Sequence, residues 1–347
     1  MTENDLLLKD FRPVSMMNAK RTPITKAKFP AIDMHNHLTT IFDLERKNAD
    51  PKKYLKVMDE SGLAAIVNLN GGWGDKLREN INNYDRAYPG RFLTFCNLDF
   101  NLIDTPEFKT HVTTTINEGA KLGMRGIKIF KELGLVHRGK DGKIVMPDDD
   151  RLRIVWETAA KAKMPVLYHI SDPKAFFQPM DGKNELIENL FINTRWHFYG
   201  SDFPAHAKLM ECQEKMLTKN PDTFFILPHI ACTPEDLDYA SKLLDTYKNI
   251  VFDTSARIND LGRQPYTARK FFIKYADRLL WGQDGAPEHE RYIISFRFLE
   301  TDDEYFYFRT ENTKARGRWM IYGLFLPDDV LKKIYYDNTV RVMGKLV

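Results

Sequence analysis

The sequence contains little cysteine and no Cys-x-x-Cys pair. Its three cysteines, Cys96, Cys212 and Cys232, lie far apart among 347 residues. This number and spacing argue against a disulfide scaffold and fit a reducing compartment. Long apolar runs are also missing from residues 1–28, where scattered charges leave nothing long enough for a signal peptide or a membrane span. We therefore expect a cytoplasmic protein with no membrane partner.

The chain also lacks a strong excess of charge of either sign. Its 51 basic and 48 acidic residues leave a formal net charge of +3. The basic clusters near residues 20–28 and 161–163 are short and mixed, as is typical of a solvated surface, so nucleic acid is not an expected partner. No phosphate-loop or Gly-x-Gly-x-x-Gly pattern follows an apolar run, and residues 71–74 match it poorly, which argues against a nucleotide cofactor.

What the sequence does have is a regular alternation of two kinds of segment. Eight short runs are apolar and rich in β-branched or aromatic residues, as expected for parallel strands buried on both faces. These runs are residues 31–35, 64–69, 92–98, 126–130, 165–169, 224–229, 250–254 and 278–282. Stretches with helical spacing lie between them at residues 51–61, 75–88, 106–121, 148–163, 233–247, 265–275 and 327–342. The alternation predicts a (β/α)8 TIM barrel, an α/β fold, over residues 29–347 after an N-terminal extension of residues 1–28.

Two connections between the predicted strands are unusually long. Residues 171–220 separate strands five and six, and residues 285–326 follow strand eight. Both are rich in aromatic residues, and long insertions on a barrel usually cover or shape the active site. Extra core or a subunit interface explains most of these aromatics at least as well. The aromatic stretch 292–308 would suit a homodimer.

Four of the nine histidines stand at the carboxyl ends of predicted strands. His35 and His37 end the first strand as His-x-His, and residues two apart on a strand point to the same side. His169 ends the fifth strand, His229 ends the sixth, and Asp284 follows the eighth. Because all these strand ends lie on one face of a barrel, the imidazoles and the carboxylate are expected to converge as a transition-metal site requires.

The order and spacing of these residues resemble the amidohydrolase superfamily. The matching motifs are Ile-Asp-Met-His-Asn-His at 32–37, Gly-Ile-Lys-Ile at 126–129, His169, His229, Asp-Thr-Ser at 253–255, Gly-Gln-Asp at 282–284 and Asn-Thr-Val-Arg at 338–341. The pattern is most similar to the branch that contains aminocarboxymuconate-semialdehyde decarboxylase. The resemblance runs from about residue 31 to the C-terminus.

This resemblance implies one divalent metal ion, with Zn²⁺ preferred and Mn²⁺ as the alternative. It implies His35, His37 and His169 as imidazole ligands and Asp284 as the carboxylate ligand, which leaves a position for water or substrate. It also implies that His229 acts as general acid and base beside the metal, and that Asp284 relays a proton. A metal in such a site lowers the pKa of its water to about 7 and polarises a carbonyl.

Three further residues are candidates for contact with a small-molecule substrate. Lys128 lies on the fourth strand, where binuclear members of the superfamily carry a carboxylated lysine that bridges two metals. The surrounding pattern favours instead a pocket cation for a substrate carboxylate or hydroxyl, and a structural lysine is the third alternative. Arg257 follows the seventh strand and either holds a carboxylate at two points or forms a salt bridge in the barrel mouth. Trp73 either lines the pocket or packs at a helix start.

The function expected from these residues is that of a metal-dependent hydrolase. Its substrate would be an ester, lactone or amide of a small carboxylated or polyhydroxylated compound. The alternative is a metal-dependent non-oxidative decarboxylase, a carbon–carbon lyase, that acts on an aromatic or unsaturated acid. Several decarboxylases of this branch have glutamate in place of the first histidine of the opening motif, whereas this chain keeps His35. A non-catalytic barrel would lack ligands, and all five strand-end residues are present.

Overall fold

The barrel is visible in a computed structural model of the chain, which describes residues 5–7, 10–11, 13–38, 50–309 and 317–344. Eight parallel strands pair in chain order, each with the next. They are Ala31–Asn36 (β1), Leu63–Asn68 (β2), Phe92–Cys96 (β3), Gly126–Ile129 (β4), Val166–Tyr168 (β5), Phe225–Leu227 (β6), Ile250–Asp253 (β7) and Leu279–Leu280 (β8). Each strand falls on one of the eight predicted runs, so the (β/α)8 fold class is confirmed.

Backbone hydrogen bonds between β1 and the chain around β8 close the sheet. The Met34 N–H donates to the Trp281 carbonyl at 3.0 Å, and the Asp284 N–H donates to the His35 carbonyl at 2.8 Å. The two ends of the sheet therefore meet at His35 and Asp284, two of the residues that the sequence places at one site.

Helices cover the outside of the barrel, and each of the seven predicted segments contains one. The helices His206–Lys219 and His289–Glu300 lie in the two long connections, where the sequence spacing predicts none. The main α-helices are Pro51–Ser61, Gly74–Asn80, Glu107–Leu122, Arg153–Lys161, His206–Lys219, Leu237–Thr246, Pro265–Lys274, His289–Glu300, Asp328–Lys332 and Asn338–Met343, with π-helical stretches at Ile81–Arg86 and Lys333–Asp337. Short helical turns occupy Phe100–Leu102, Glu132–Leu135, Asp150–Leu152, Lys174–Phe177, Ile187–Ile192, Thr194–Trp196, Pro228–Ala231, Ile258–Leu261 and Ala276–Arg278. Among the described residues, none of the helices combines the length and apolarity needed to cross a bilayer.

The first helix shows why sequence and structure agree at its ends. The Asp50 carboxylate accepts a hydrogen bond from the Lys52 N–H, and Pro51 occupies the first turn. Gly62 ends the helix with a φ of 76°, a conformation that glycine adopts without steric cost. Predicted segment 233–247 begins later than expected, at Leu237, because the Asp236 side chain caps the helix.

The core has two parts, one inside the barrel and one between the strands and the helices. The inner part is built from Ile32, Met34, Ala65, Val67, Leu69, Leu93, Phe95, Leu167, Ile226, Val251, Leu280 and Met343. Leu167 points inward, while its neighbour Tyr168 packs outward near Trp156 and donates its hydroxyl to the Leu133 carbonyl at 2.9 Å. This alternation turns the next residue, His169, toward the barrel mouth.

The aromatic stretch 292–308 belongs to the core. The rings of Tyr292 and Phe296 are fully buried and pack against Trp281. Phe306 and Phe308 are also buried. These rings are therefore used within the chain, whereas Tyr305 of the same stretch is 39% exposed, and the homodimer stays a prediction.

The connection after β5 is an insertion of short helical turns that ends before the barrel helix His206–Lys219. Two bidentate ion pairs fasten it to the rest of the chain. Arg263 binds Glu185 at 2.7 and 3.1 Å, and Arg318 binds Glu188 at 2.7 and 2.9 Å. The insertion is thereby held beside the barrel mouth.

The end of the N-terminal extension also packs against the barrel. The Thr22 backbone N–H and side-chain hydroxyl donate to the buried Asp303 carboxylate at 2.8 and 2.6 Å. Arg297 pairs with the same carboxylate at 2.7 Å. The Ala27 N–H donates to the Ser61 carbonyl at 3.0 Å. Residues 22–27 are thus fixed to the barrel surface.

Candidate metal centre and substrate cavity

An extra residue in β1 brings the His-x-His pair into the barrel mouth. Asp33 pairs with Ile66, and the next pair is Asn36 with Asn68. Between these pairs β1 has one residue more than β2, which is a β-bulge. The bulge breaks the alternation, so Met34 fills the barrel interior and His35 also points inward. His37 follows on the same side, and both imidazoles are buried.

Three of the imidazoles are held at Nδ1, which leaves Nε2 to face the site. The partner is an oxygen atom each time: Asp253 Oδ2 for His35 at 2.5 Å, Asn70 Oδ1 for His37 at 2.7 Å, and the Ser255 carbonyl for His229 at 2.9 Å. Because these oxygens accept hydrogen bonds, Nδ1 carries the proton and the lone pair lies on Nε2.

Asp284 lies where these three lone pairs converge. Its Oδ1 is 3.4 Å from His37 Nε2 and 3.5 Å from His35 Nε2, and its Oδ2 is 3.8 Å from His229 Nε2. Donor atoms of His35, His229 and Asp284 all lie within 4.8 Å of one another. His229 Nε2 is buried with no hydrogen-bond partner among the described residues. Imidazole nitrogens and a carboxylate at such spacing are the donor set of a divalent transition metal.

The fourth histidine is turned the other way. His169 Nε2 lies 2.8 Å from the Ser171 carbonyl and 3.5 Å from Asp172 Oδ1, so its lone pair is on Nδ1. Its ring packs edge-on against His229 with centroids 4.4 Å apart. His169 therefore borders the cluster through His229 and keeps its free lone pair on Nδ1, but it lies outside the group of donor atoms formed by His35, His229 and Asp284.

Burial sets the protonation of the cluster. Desolvation lowers the pKa of His35 and the pKa of His229, and it lowers the pKa of His169 to about 4. Burial opposes ionisation of Asp284, but His35 and the other imidazoles around it hold its pKa well below the usual range. Neutral imidazoles and an ionised carboxylate are the forms that bind a metal.

The site residues after β6, β7 and β8 sit on strained backbone. Residues 229–232 have four consecutive positive φ values, from 51° to 61°, and none of them is glycine. Ala256 and Asp284 also have positive φ values, 56° and 62°. Each left-handed residue costs about 1–2 kcal/mol, and such strain clusters at functional sites.

A cavity of about 870 Å³ extends from the cluster. His37, His169, His229 and Asp284 lie in its lining. The β5 insertion and the chain after β8 supply aromatic walls, which are Phe176, Trp196, Phe198 and Phe308. The two long connections therefore shape the site, as the sequence indicates.

Three cations line the same cavity without a carboxylate partner among the described residues. Lys128 is buried, and its Nζ has no hydrogen-bond partner in the described ranges. Arg257 is also buried, with Nε unpartnered and Nη1 bonded to the Ala256 carbonyl at 3.0 Å. Arg291 donates to the Asp284 carbonyl at 3.1 Å. Burial lowers the pKa of Lys128 to about 8. A bound anion would satisfy these groups.

A family comparison decides what kind of protein carries this cluster. The model of a family described as amidohydrolase matches residues 83–345, which is most of the chain. The chain belongs to the amidohydrolase family. A search of proteins with curated functions finds no match to the sequence.

Solved structures share the barrel of this amidohydrolase at low sequence identity. They include 2,6-dihydroxybenzoate decarboxylase from Rhizobium, with 15% identity, a TM-score of 0.55 and coverage of 91% of this chain and 98% of that chain. Dihydroxybenzoic acid decarboxylase from Polaromonas sp. JS666, with bound manganese and the inhibitor 2-nitroresorcinol, has 13% identity, a TM-score of 0.58 and coverage of 91% and 97%. 5-Carboxyvanillate decarboxylase from Sphingomonas paucimobilis has 13% identity, a TM-score of 0.54 and coverage of 91% of this chain and 99% of that chain. Such likeness shows the common fold.

Trp73 lies outside the cavity of this amidohydrolase, in contrast to one of its two expected positions. Its side chain is 42% exposed, and its ring meets His111 edge-on with centroids 5.8 Å apart. Gly72, with a φ of 72°, turns the chain, and Trp73 then precedes the helix Gly74–Asn80. The helix start is therefore the position that the structure shows.

Sequence reasoning missed the residues that orient the histidines of the amidohydrolase. Asp253 ends β7, so the strand-end rule that selected the histidines could have assigned it a role. Asn70 follows β2 by two residues, and Asp172 follows His169 by three. Their roles depend on side-chain contacts that spacing does not reveal.

Proposed function

We propose that this amidohydrolase is a metal-dependent non-oxidative decarboxylase of an aromatic or unsaturated carboxylic acid. The observation that carries the proposal is the cavity, in which aromatic walls and unpaired cations face the histidine–aspartate cluster. Three proteins with the same barrel are decarboxylases of aromatic acids. Hydrolysis is the second candidate, because the lone pair of His229 Nε2 could take a proton from water.

We assign His35, His37, His169 and Asp284 as the metal ligands. The first two would bind through Nε2 and His169 through Nδ1, as their hydrogen bonds dictate. Three nitrogens and one carboxylate oxygen suit Zn²⁺, and they also suit Mn²⁺, which the decarboxylase from Polaromonas holds. When bound, the metal supplies positive charge that holds an acidic substrate and stabilises negative charge during the reaction.

Lys128 and Arg257 would bind the carboxylate or a hydroxyl group of the acid. Both are buried and have no carboxylate partner within the residues that the structure describes, so an anion in the cavity gains charge-assisted hydrogen bonds worth about 1.5–3 kcal/mol each. The rings of Phe176, Trp196 and Phe198 offer flat apolar surface to a planar substrate. Together these groups position the acid and exclude water.

His229 and Asp284 would move the proton that decarboxylation requires. Loss of CO₂ breaks a carbon–carbon bond and leaves its electron pair on the substrate carbon, which must then gain one proton. Nε2 of His229 has no hydrogen-bond partner in the described part of the chain and lies 3.8 Å from Asp284 Oδ2, within the cavity lining. We assign His229 Nε2 as the atom that takes up one proton from solvent and passes it to the carbon, with Asp284 as its relay, so that one carboxylate and one proton yield CO₂ and the protonated carbon.

A substrate panel tests the reaction class. Purified metal-loaded protein is offered hydroxybenzoic and unsaturated acids on one arm, and esters, lactones and amides of similar size on the other. We expect one CO₂ per substrate consumed on the first arm and no acid release on the second. Hydrolysis on the second arm without CO₂ on the first would contradict the decarboxylase and favour the second candidate.

A further inference from the structure

We propose that Lys131 is a positioning residue that fixes His169 through Asp172, and that the aromatic rings of the β5 insertion hold Lys131 in place. The proposal rests on the proposed function, because it treats His169 as a metal ligand. It adds a link between the cavity wall and the metal centre.

The Asp172 carboxylate joins the two residues. One oxygen, Oδ2, forms an ion pair with Lys131 Nζ, and the other, Oδ1, lies 3.5 Å from His169 Nε2. The side chains of Lys131 and Asp172 are only 19% and 6% exposed, so solvent screens the pair little. Burial opposes the charge of Asp172, yet Lys131 and His169 hold its pKa well below the usual range.

This carboxylate helps to fix the tautomer of His169. The Nε2–H donates to the Ser171 carbonyl at 2.8 Å, and the negative charge of Asp172, with Oδ1 3.5 Å away, favours the same proton position, so the proton stays on Nε2 and the lone pair on Nδ1. Without Lys131, Asp172 would be a buried carboxylate with no cation, and its charge would be costly. A weaker charge at Asp172 would hold the His169 ring less firmly and make Nδ1 a poorer donor.

Two rings of the β5 insertion hold the ammonium group. Lys131 Nζ lies 5.3 Å from the Trp196 ring centroid and 5.6 Å from the Phe198 ring centroid, within cation–π range. Phe176 supports both, because its ring stacks on Trp196 at 6.0 Å and its carbonyl accepts the Phe198 N–H at 2.8 Å. The insertion therefore reaches His169 through a continuous chain of contacts.

A lysine of the β5 insertion itself, Lys174, provides a matched control. Lys174 Nζ lies 3.9 Å from Asp236 Oδ2, and both side chains are close to half exposed, at 48% and 44%. An exposed pair of this kind contributes about 0–1 kcal/mol and does not contact the cluster. Lys174→Met therefore removes a lysine from the insertion without touching the proposed link.

Zinc affinity tests the proposal without relying on turnover. Full-length protein is stripped of metal, and Zn²⁺ is titrated in competition with a chromophoric chelator. We expect Lys131→Met and Asp172→Asn to weaken Zn²⁺ binding by about 10–100-fold, as loss of a partner behind a metal-binding histidine does. The Zn²⁺ affinity of Lys131→Arg should stay within a few-fold of wild type because arginine keeps the charge. Trp196→Leu should lose less affinity than Lys131→Met, and Lys174→Met should lose none.

A second readout reports His169 itself. In metal-free protein with ¹⁵N-labelled histidine, the His169 signals should show the Nε2–H tautomer in the wild type and a mixture in Lys131→Met. If Lys131→Met folds poorly, zinc affinity and the His169 tautomer are measured on Trp196→Leu instead. Unchanged zinc affinity and an unchanged tautomer in well-folded variants would overturn the inference. A wild-type chain that binds no zinc would instead overturn the assigned metal centre.

Discussion

At the scale of single residues, the chemistry depends on which ring nitrogen each histidine leaves free. Asp253, Asn70 and the Ser255 carbonyl each occupy one nitrogen and thereby aim the other. His169 and His229 are in ring contact but expose different nitrogens. Such neighbours can have separate roles, one as metal ligand and one in proton transfer.

The roles of these two neighbours can be separated by substitution. We expect His169→Ala to lose most of the bound metal, because a ligand is removed. We expect His229→Gln to keep the metal and to lower kcat by about 10²–10⁴-fold, because only proton transfer is impaired. Metal content by atomic emission and steady-state kinetics check both. If His229→Gln also lost the metal while His169→Ala kept it, the two assignments would have to be exchanged.

At the scale of elements, irregular segments deliver the functional groups to the mouth. The bulge in β1 lets two histidines follow Met34 into the barrel. The left-handed turn at residues 229–232 places His229 between the rings of His35 and His169. Gly282 allows β8 to approach β1, since a Cβ there would lie 2.9 Å from the His35 backbone nitrogen. Regular strands alone would not assemble this cluster.

The strain of the left-handed turn can be measured at Ala231, which has a φ of 51°. Glycine adopts this φ freely, so Ala231→Gly regains about 1–2 kcal/mol of strain and loses about 0.8 kcal/mol for the buried methyl group. Glycine also adds conformational entropy to the unfolded chain, which lowers stability. For Ala231→Gly we therefore expect a change near zero in the free energy of unfolding. The control Ala240→Gly, inside the helix Leu237–Thr246, should cost about 2 kcal/mol. Equal losses in urea titrations would argue against strain.

At the scale of the whole molecule, the barrel could be predicted well and the site only in part. Parallel strands buried on both faces form recognisable apolar runs, and His169 and His229 could be placed because strand ends share one face. The contacts of Asn70 and Asp172 could not be predicted, because they depend on side-chain reach across neighbouring segments. The turn at Gly72 moves Trp73 out of the cavity, and the burial of Tyr292 depends on packing against Trp281. Neither follows from spacing.

The proposed ligand set spans distant parts of the chain, so metal removal should affect global stability. At a free metal concentration of 100 times the dissociation constant, binding stabilises a fold by about 2.7 kcal/mol. For a chain of 347 residues we expect chelation to lower the thermal midpoint by about 4 °C. Differential scanning calorimetry with and without chelator measures the shift. The Asp284→Asn variant serves as the control and should show little response, while an equal response would place the stabilising metal elsewhere.

The junction of the first and last strands has a consequence for biosynthesis. His35 and His37 emerge early from the ribosome, whereas Asp284 is translated about 250 residues later and joins them only when β8 pairs with β1. Until then the nascent chain presents two histidines at an unpaired sheet edge and lacks the carboxylate. Catalytic competence should therefore arise in a single late step, when the returning strand seals the cylinder, and fragments that end before β8 should be inert.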